Sequence, residues 1–475
     1  MMFSAVSKSW ALFLGLAFLM LGNGLQSTVL SVRASMEGFS TETTGFVMAC
    51  YFIGYFMGSF AAPKALETVG HVRVFAALAS LSSTSALLHA VFIDPYVWGA
   101  MRFITGFCFA GLYIVAESWL NHSATNETRG KLLSIYMVVL YGFLALGQLL
   151  INVSDPGSFV PFVLMSVLVS LALLPTTMTA VQAPVFESPT PVSLKRLYQI
   201  SPLGFACAFG VGLAQAQIFG IGAIYGGKLQ MTPQDISFFM AAMSVGGIAL
   251  QWPIGKLSDR FDRRQVLIVV SVLAAIVGLS LVPLSGPQAS SLFLISAFIF
   301  GALCMPLYSL AIAHTNDHLE TSEIVAATSG LIVIGGFGAM IGPLVSPLLM
   351  GRFGPDAFVY SLSFTLLLIG LFGIYRMTRR SSVPLGDQGD YVGLPMEASS
   401  MVVAMTPEGE EWYEEVIAEA EAEATTAANL AESMGVEVES PDMLDDGAAL
   451  WAQEDDGTED VDSENPVEKK TDQRI

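Results

Sequence analysis

Two charged residues stand inside one long apolar run, and their types set the chemistry open to them. Arg102 lies about five residues into the run at 97–119, in the string Arg102-Phe103-Ile104-Thr105-Gly106. An intramembrane cation costs at least ~2.5–3.5 kcal/mol on insertion scales, so it must face the protein interior or reach out to the interface. Proton relay, contact with an anion and snorkelling are the roles open to it. Glu117 lies near the other end of the same run. Fifteen residues separate the two, roughly 22 Å along a helix, so they cannot pair. Glu117 is either a protonatable coupling site or half of a gate pair with Arg129 or Arg73, and the pair is the preferred reading. Asn23, Gln26, Gln148, Gln215 and Gln251, with Tyr113 and Tyr308, are candidates for a central cavity, although each alone reads as a helix-to-helix hydrogen bond. Gln217 stands two residues from Gln215, so the two point in different directions and cannot both line one cavity. His89, His314 and the four cysteines, Cys50, Cys108, Cys207 and Cys304, are each isolated in apolar surroundings and read as packing groups.

The elements that position these residues follow from composition. Of 475 residues 53% are hydrophobic and only 13% charged, which excludes an ordinary soluble domain. Runs long enough to cross a hydrocarbon core, about 20 helical residues each, fall near 10–32, 45–66, 73–93, 97–119, 132–153 and 159–180. Six more fall near 202–225, 235–255, 266–285, 291–313, 324–349 and 357–377. The expectation is an all-α integral membrane protein of twelve transmembrane helices. Its parts are an N-terminal six-helix bundle (1–180), a central loop (181–201), a C-terminal six-helix bundle (202–380) and a tail (381–475).

Fourteen basic residues fall in loops and flanks on the side of the N-terminus, against Arg33, Lys228 and Arg352 on the other. The excess predicts that both chain ends are cytoplasmic. The halves also repeat. At a constant offset of 195, Gly106 pairs with Gly301, Cys108 with Leu303, Tyr113 with Tyr308, Asn121 with Asn316 and Gly147 with Gly342. Duplicated units of this kind enclose a midplane binding site between the halves.

The eighth run ends in Gly255-Lys256-Leu257-Ser258-Asp259-Arg260-Phe261-Asp262-Arg263-Arg264. This string resembles the cytoplasmic-loop signature of the major facilitator superfamily, Gly-x-x-x-Asp-Arg-x-Gly-Arg-Arg, with Asp262 where the pattern has Gly. Within that superfamily, Trp119-Leu120-Asn121, Arg129-Gly130-Lys131-Leu132-Leu133, Gly147-Gln148-Leu149-Leu150 and Gln251-Trp252-Pro253-Ile254-Gly255 resemble the YcaD-type branch of bacterial inner-membrane transporters. The resemblance implies the major facilitator fold, two pseudo-symmetric bundles. It also implies a cytoplasmic latch stabilising the outward-facing state, built from Gly255, Asp259, Arg260, Arg263 and Arg264, with Asp259 acting on the start of the fifth helix near Thr128, Arg129 and Gly130. Topogenic charge alone is the competing reading. The family's fourth-helix motif, with an Arg four before a Gly, is similar to Arg102…Gly106 and ties that Arg to proton transfer. The matching first-half loop has Ala62 where the carboxylate belongs, so the latch should be asymmetric and the eleventh helix must use Thr321, Ser322 and Glu323 for capping.

The tail holds 26 of the 41 acidic residues and 3 of the 21 basic ones, so the net charge of −20 belongs to an appended segment. Its composition predicts disorder from Ser381 onward, with a helical island after Thr406 carrying Trp412, Val416, Ile417 and Ala420 on one face. No Gly-x-x-x-x-Gly-Lys-Ser/Thr or His-Glu-x-x-His string occurs, and the loops are too short for a catalytic domain. Gly147-Gln148 stands where a drug-antiporter signature has Gly-Pro. The expectation is therefore a non-enzymatic secondary transporter in the bacterial inner membrane. It moves a small-molecule solute by alternating access, with proton coupling open, no cofactor or metal and no nucleic-acid partner. The lone positive charge within the spans leans toward an anionic or neutral solute. The alternative is a non-transporting receptor or scaffold that presents the acidic tail to a partner.

Overall fold

Backbone groups in a hydrocarbon layer must pair within their own segment, so apolar runs of this length become helices. The computed structural model describes residues 2–124, 128–178, 192–399, 401–402, 406, 418, 422 and 426. Among them twelve helices are long and apolar enough to span a membrane. They are α1 (Ser9–Met36), α2 (Thr41–Val69), α3 (His71–Val91), α4 (Pro95–Ser123), α5 (Arg129–Val153), α6 (Val160–Thr177), α7 (Pro202–Lys228), α8 (Pro233–Ser258), α9 (Arg263–Leu284), α10 (Ser291–Asn316), α11 (Glu323–Phe353) and α12 (Ala357–Met377). Several start at a side-chain cap that sequence composition marks. Asp94 accepts from the amides of Tyr96 and Val97 ahead of α4, Ser290 accepts from Phe293 ahead of α10, and Thr232 accepts from Asp235 ahead of α8. The expected spans hold, but many helices run several residues past their apolar stretch, because caps rather than hydropathy end them.

The repeat read from the sequence has a packing basis. A Cβ on Gly106 would overlap the carbonyl oxygen of Tyr51, and one on Gly301 would overlap that of Met243, so α4 crosses α2 as α10 crosses α8. Gly147 lies in the same way on Leu21, and Gly342 on Leu213, which fixes α5 on α1 and α11 on α7. Small residues let two backbones approach where lipid gives no hydrophobic drive. The result is two pseudo-symmetric six-helix bundles.

The bundles meet at the end remote from the chain termini. Gly45 lies against Pro343 and Pro347 of α11, Ser244 Oγ donates to Gln148 Oε1 at 3.1 Å, and Asn152 Nδ2 donates to Ser237 Oγ at 2.9 Å. Nearer the middle, the rings of Phe56 and Phe337 pack at a tilt with centroids 4.8 Å apart.

Two expectations for the termini-bearing end are corrected. The central loop contains a helix, Leu194–Ile200, capped by Ser193, and Arg196 pairs with Glu323 of α11. Glu323 is thus engaged by Arg196, Glu320 makes no capping bond, and the side chains of residues 321 and 322 lie outside the described set. The tail is not disordered from Ser381. Its first residues pack into the bundles, with Leu394, Ala398, Met401 and Val402 buried. Averaging over the whole acidic tail concealed the apolar run Tyr391-Val392-Gly393-Leu394-Pro395-Met396. The expected helical island lies outside the described residues. The chain divides into a unit of Met1–Val416 and a second, Ile417–Ile475, in which Thr426 Oγ1 donates to the carbonyl of Ala422.

Candidate functional site: a central cavity entered by the tail

Arg102 is buried at 3% exposure and faces the protein interior, which settles its direction against snorkelling. Its Nη1 donates to Gln26 Oε1 at 3.3 Å, and its guanidinium lies 4.3 Å from the Tyr51 ring centroid. Its Nε has no partner among the described residues. Around it α1, α2, α4 and α5 bring Asn23, Tyr51, Tyr113 and Tyr141 to one small cavity, which Phe219 of α7 closes from the other half. Tyr113 also donates to Met20 Sδ at 3.2 Å.

Other candidates have structural roles. Gln215 Nε2 reaches the carbonyl of Met305 at 3.5 Å, and Gln217 accepts from Ser361 Oγ at 2.7 Å, so both stitch helices of the second half. Gln148 belongs to the seal at the remote end. Tyr308 is buried against Gly335, its hydroxyl without a partner among the described residues. His89 and His314 pack on Trp98 and His318, and all four cysteines are buried and free.

Glu117 is fully buried, and the expected pair with Arg129 or Arg73 is not made. Its carboxylate accepts from the Tyr136 hydroxyl and from both the amide, at 2.8 Å, and the hydroxyl of Ser399 in the tail. Hydroxyl and amide donors replace the cation, because the tail lies where a gate partner would stand.

The latch string is likewise engaged by the tail. In this structure Asp259 accepts from Arg263 Nη2 at 2.9 Å and from the amide of Tyr391 at 3.0 Å. Arg263 is buried and also donates to Asp317 at 2.6 Å, to the carbonyl of Ala313 at 3.1 Å and to that of Gly389 at 2.7 Å. The amide of Gly389 returns to Asp317 at 3.2 Å. Burial outweighs the attraction of Arg263 and pushes the Asp317 carboxyl up to about 6. Arg264 donates to Asp262 and to the carbonyl of Arg380, while Arg260 is exposed. Asp262, the departure from the family pattern, caps α9 through the Arg264 amide at 3.0 Å. Gly255 is required bare here, since a Cβ would overlap the Tyr391 ring. Ala62 carries no charge and packs beside Gly111, so the first half has no counterpart to this cluster.

From this anchor the tail climbs between the bundles. Leu394 binds Ser309 Oγ of α10 through both its amide and its carbonyl, each at 2.9 Å, and Ser309 is held by Gln251 Nε2 at 2.8 Å. A turn over Pro395–Ala398, closed by the Ala398 amide on the Pro395 carbonyl at 3.2 Å, carries Met396 and Glu397 at its tip. The Glu397 carbonyl accepts from the Tyr55 hydroxyl, and Glu397 lines the small cavity together with Tyr141. Tyr55 stands fourteen residues from the end of α2, roughly 21 Å along the axis, so the tip lies near mid-depth. Ser399 then returns the chain to Glu117. The residual space beside Arg102 is about 50 Å³, and a second cavity of about 340 Å³ opens between α2, α11 and the turn. Sequence reasoning missed Tyr51, Tyr55, Tyr141, Ser309 and the tail; the apolar run at 391–396 was the available signal.

Comparison with known proteins places these features in a family context. Residues 200–395 match the family model described as Major Facilitator Superfamily, and residues 9–190 match Sugar (and other) transporter. The chain is 30% identical over 363 residues to the uncharacterized MFS-type transporter YcaD of Escherichia coli O9:H4 (strain HS), covering 75% of this chain and 93% of that protein. An uncharacterized MFS-type transporter of Enterobacter sp. (strain 638) is 29% identical over the same length, with 75% and 94% covered. Among solved structures, a mutant of the nucleoside transporter NupG superposes with a TM-score of 0.65 at 14% identity, covering 78% of this chain and 99% of that one. A D-xylose-proton symporter superposes at 0.60 with 15% identity, covering 78% and 97%.

Proposed function

Because the chain belongs to the major facilitator superfamily, in its YcaD-type branch, we propose that it transports a small solute across the bacterial inner membrane by alternating access, with both termini cytoplasmic. The observation that carries this reading is the asymmetry of the seam. At the remote end the bundles touch directly through Gly45 with Pro347, Gln148 with Ser244 and Asn152 with Ser237. At the basic end the tail lies between them. A cavity lined from both halves, closed by protein on one side and stoppered by a separable segment on the other, is the inward-facing half of a rocking cycle.

Glu117 is the group suited to couple that cycle to protons. Three donors converge on it, an arrangement that suits an acceptor-only carboxylate. Protonation removes acceptor capacity and loosens Ser399, so proton binding and opening of the basic end are linked.

Paired spin labels test the reading. One pair replaces Phe92 and Gly286 at the remote end and a second replaces Thr68 and Arg260 at the basic end. Alternating access expects the first distance to lengthen, by several Å, in the population where the second shortens. A single fixed distance at each end from pH 5 to pH 8 would refute it.

A further inference from the structure

We propose that the turn Pro395–Ala398 occupies the central cavity as an internal ligand, and that the cavity's solute is an organic carboxylate whose acid group takes the place of Glu397. The inference rests on reading this cavity as the transport route.

At the Arg102 end of the cavity, size makes turn and solute exclusive. Sites for small molecules span ~300–1,000 Å³, whereas about 50 Å³ remains beside Arg102 with the turn in place. Chemistry then selects the acid. The two charged groups lining that space are Arg102 and Glu397, one of each sign, and the polar groups between them include the tyrosine hydroxyls and Asn23. Tyr141 and Glu397 line this space together. Phenolic and guanidinium N–H or O–H groups all donate, and a carboxylate accepts from both.

Among the described residues, Glu397 makes no ion pair with Arg102, whose Nε stays unpartnered and whose bond to Gln26 is long. The tether explains the gap. Leu394 is fixed to Ser309 on one side of the turn and Ser399 to Glu117 on the other, which limits the reach of the tip. A free solute carries no such tether and can place its carboxylate on Arg102 and Tyr141 together. The buried guanidinium is therefore a preformed acid site, and the tail holds it in reserve with an imperfect copy of the true ligand.

The test uses the full-length protein and thermal unfolding in detergent. The probes are N-acetylglutamate α-amide and glutarate, each against its neutral counterpart, N-acetylglutamine α-amide and glutaramide. Leu394→Asp puts a charge at a buried tail position and releases the turn without touching the cavity. The acids should stabilise this variant at concentrations about tenfold or more below those the wild type needs, and the amides should stabilise neither. Adding Arg102→Gln, or Tyr141→Phe if that chain does not accumulate, should abolish the response. Ser309→Ala, which removes the partner of both Leu394 backbone groups and lies outside the cavity lining, serves in place of Leu394→Asp if the latter is not recovered. Equal responses of wild type and variant, amides acting as well as acids, or no acid response in the released chain would each overturn the proposal. These are binding readouts, so their failure leaves alternating access to be judged by the spin-label distances, and a fixed pair of distances leaves acid binding intact.

Discussion

Replacing Glu117 with Gln perturbs the deepest fastening of the tail while keeping the side chain's shape. The carboxylate accepts from the Ser399 amide at 2.8 Å and from the Ser399 hydroxyl, with the Tyr136 hydroxyl on its other oxygen. Gln retains one acceptor oxygen, which Tyr136 can keep, and turns a donor toward the Ser399 amide, another donor. The Ser399 hydroxyl can reverse and accept from the Gln amide, but the bond from the Ser399 amide to a charged acceptor is lost; such a bond is worth ~1.5–3 kcal/mol, and the upper value gives ~3 kcal/mol. That corresponds to roughly two decades in the ratio of docked to undocked tail, at 1.4 kcal/mol per decade. Hydrogen exchange reads the ratio at a distance, because the Leu394 amide is bonded to Ser309 only while the tail is docked. Its exchange should quicken about a hundredfold in Glu117→Gln, with α2 and α4 amides unchanged. Unaltered exchange at Leu394 alongside faster exchange at Ser399 would show that the two fastenings act independently, and the reasoning that makes one plug of residues 389–399 would fail.

Other consequences are open to measurement. Gly255→Ala places a Cβ on the Tyr391 ring, so it should speed Leu394 exchange by a route that leaves every tail residue in place; unchanged exchange would mean the ring is not seated there. Folded Asp317 keeps its proton to about 6 against an ordinary 3.8. Its contribution to stability is therefore full below about pH 4 and lost as pH rises through about 6, and Asp317→Asn should flatten the fall in melting temperature over that interval. Gly106→Val and Gly301→Val force apart repeat-related crossings, and each should cost about 1–3 kcal/mol or prevent accumulation of folded protein; a silent substitution at either would break the packing argument for the repeat. Gln148→Leu removes the acceptor of Ser244 and should shift the remote-end label pair toward longer distances.

The fold was legible because lipid imposes one solution on apolar runs, and the duplicated glycines mark the crossings that place them. Arg102 was legible in part: a cation in that setting must find the interior or the interface, and the structure has it in the interior, beside Gln26 and Tyr51. The partners of Glu117 and Asp259 were not legible. The sequence-based reasoning sought oppositely charged residues close in the span map, whereas the partners observed are Ser399 and Tyr391, respectively 282 and 132 positions away. Nothing in local spacing brings a tail segment back to mid-depth. The polar residues on α7 failed as cavity markers because each Gln takes one partner from the neighbouring helix, a carbonyl at Met305 and a hydroxyl at Ser361, leaving Gln215 Oε1 and Gln217 Nε2 unpartnered among the described residues.

The docked tail changes what affinity means for this transporter. A tethered segment competes at an effective concentration in the millimolar range when its linker is short, and residues 378–388 are the only chain between α12 and the Gly389 anchor. A solute that enters only when the turn is out sees its affinity reduced by the fraction of time the cavity is free. If the turn is docked in ninety-nine molecules of a hundred, a solute of intrinsic micromolar affinity binds at about 100 μM, so the cavity fills only when solute is abundant. Glu117 stands at the deep end of the docked segment and loses acceptor strength on protonation. Acidification of the basic side should therefore raise the free fraction and the apparent affinity together, a covariation that a simple proton symporter without a tail would not show. Measuring solute affinity and Leu394 exchange on the same samples between pH 5 and pH 8 decides the matter. A straight-line relation between the logarithms of the two supports the internal competitor, and affinity that varies while exchange stays constant removes it.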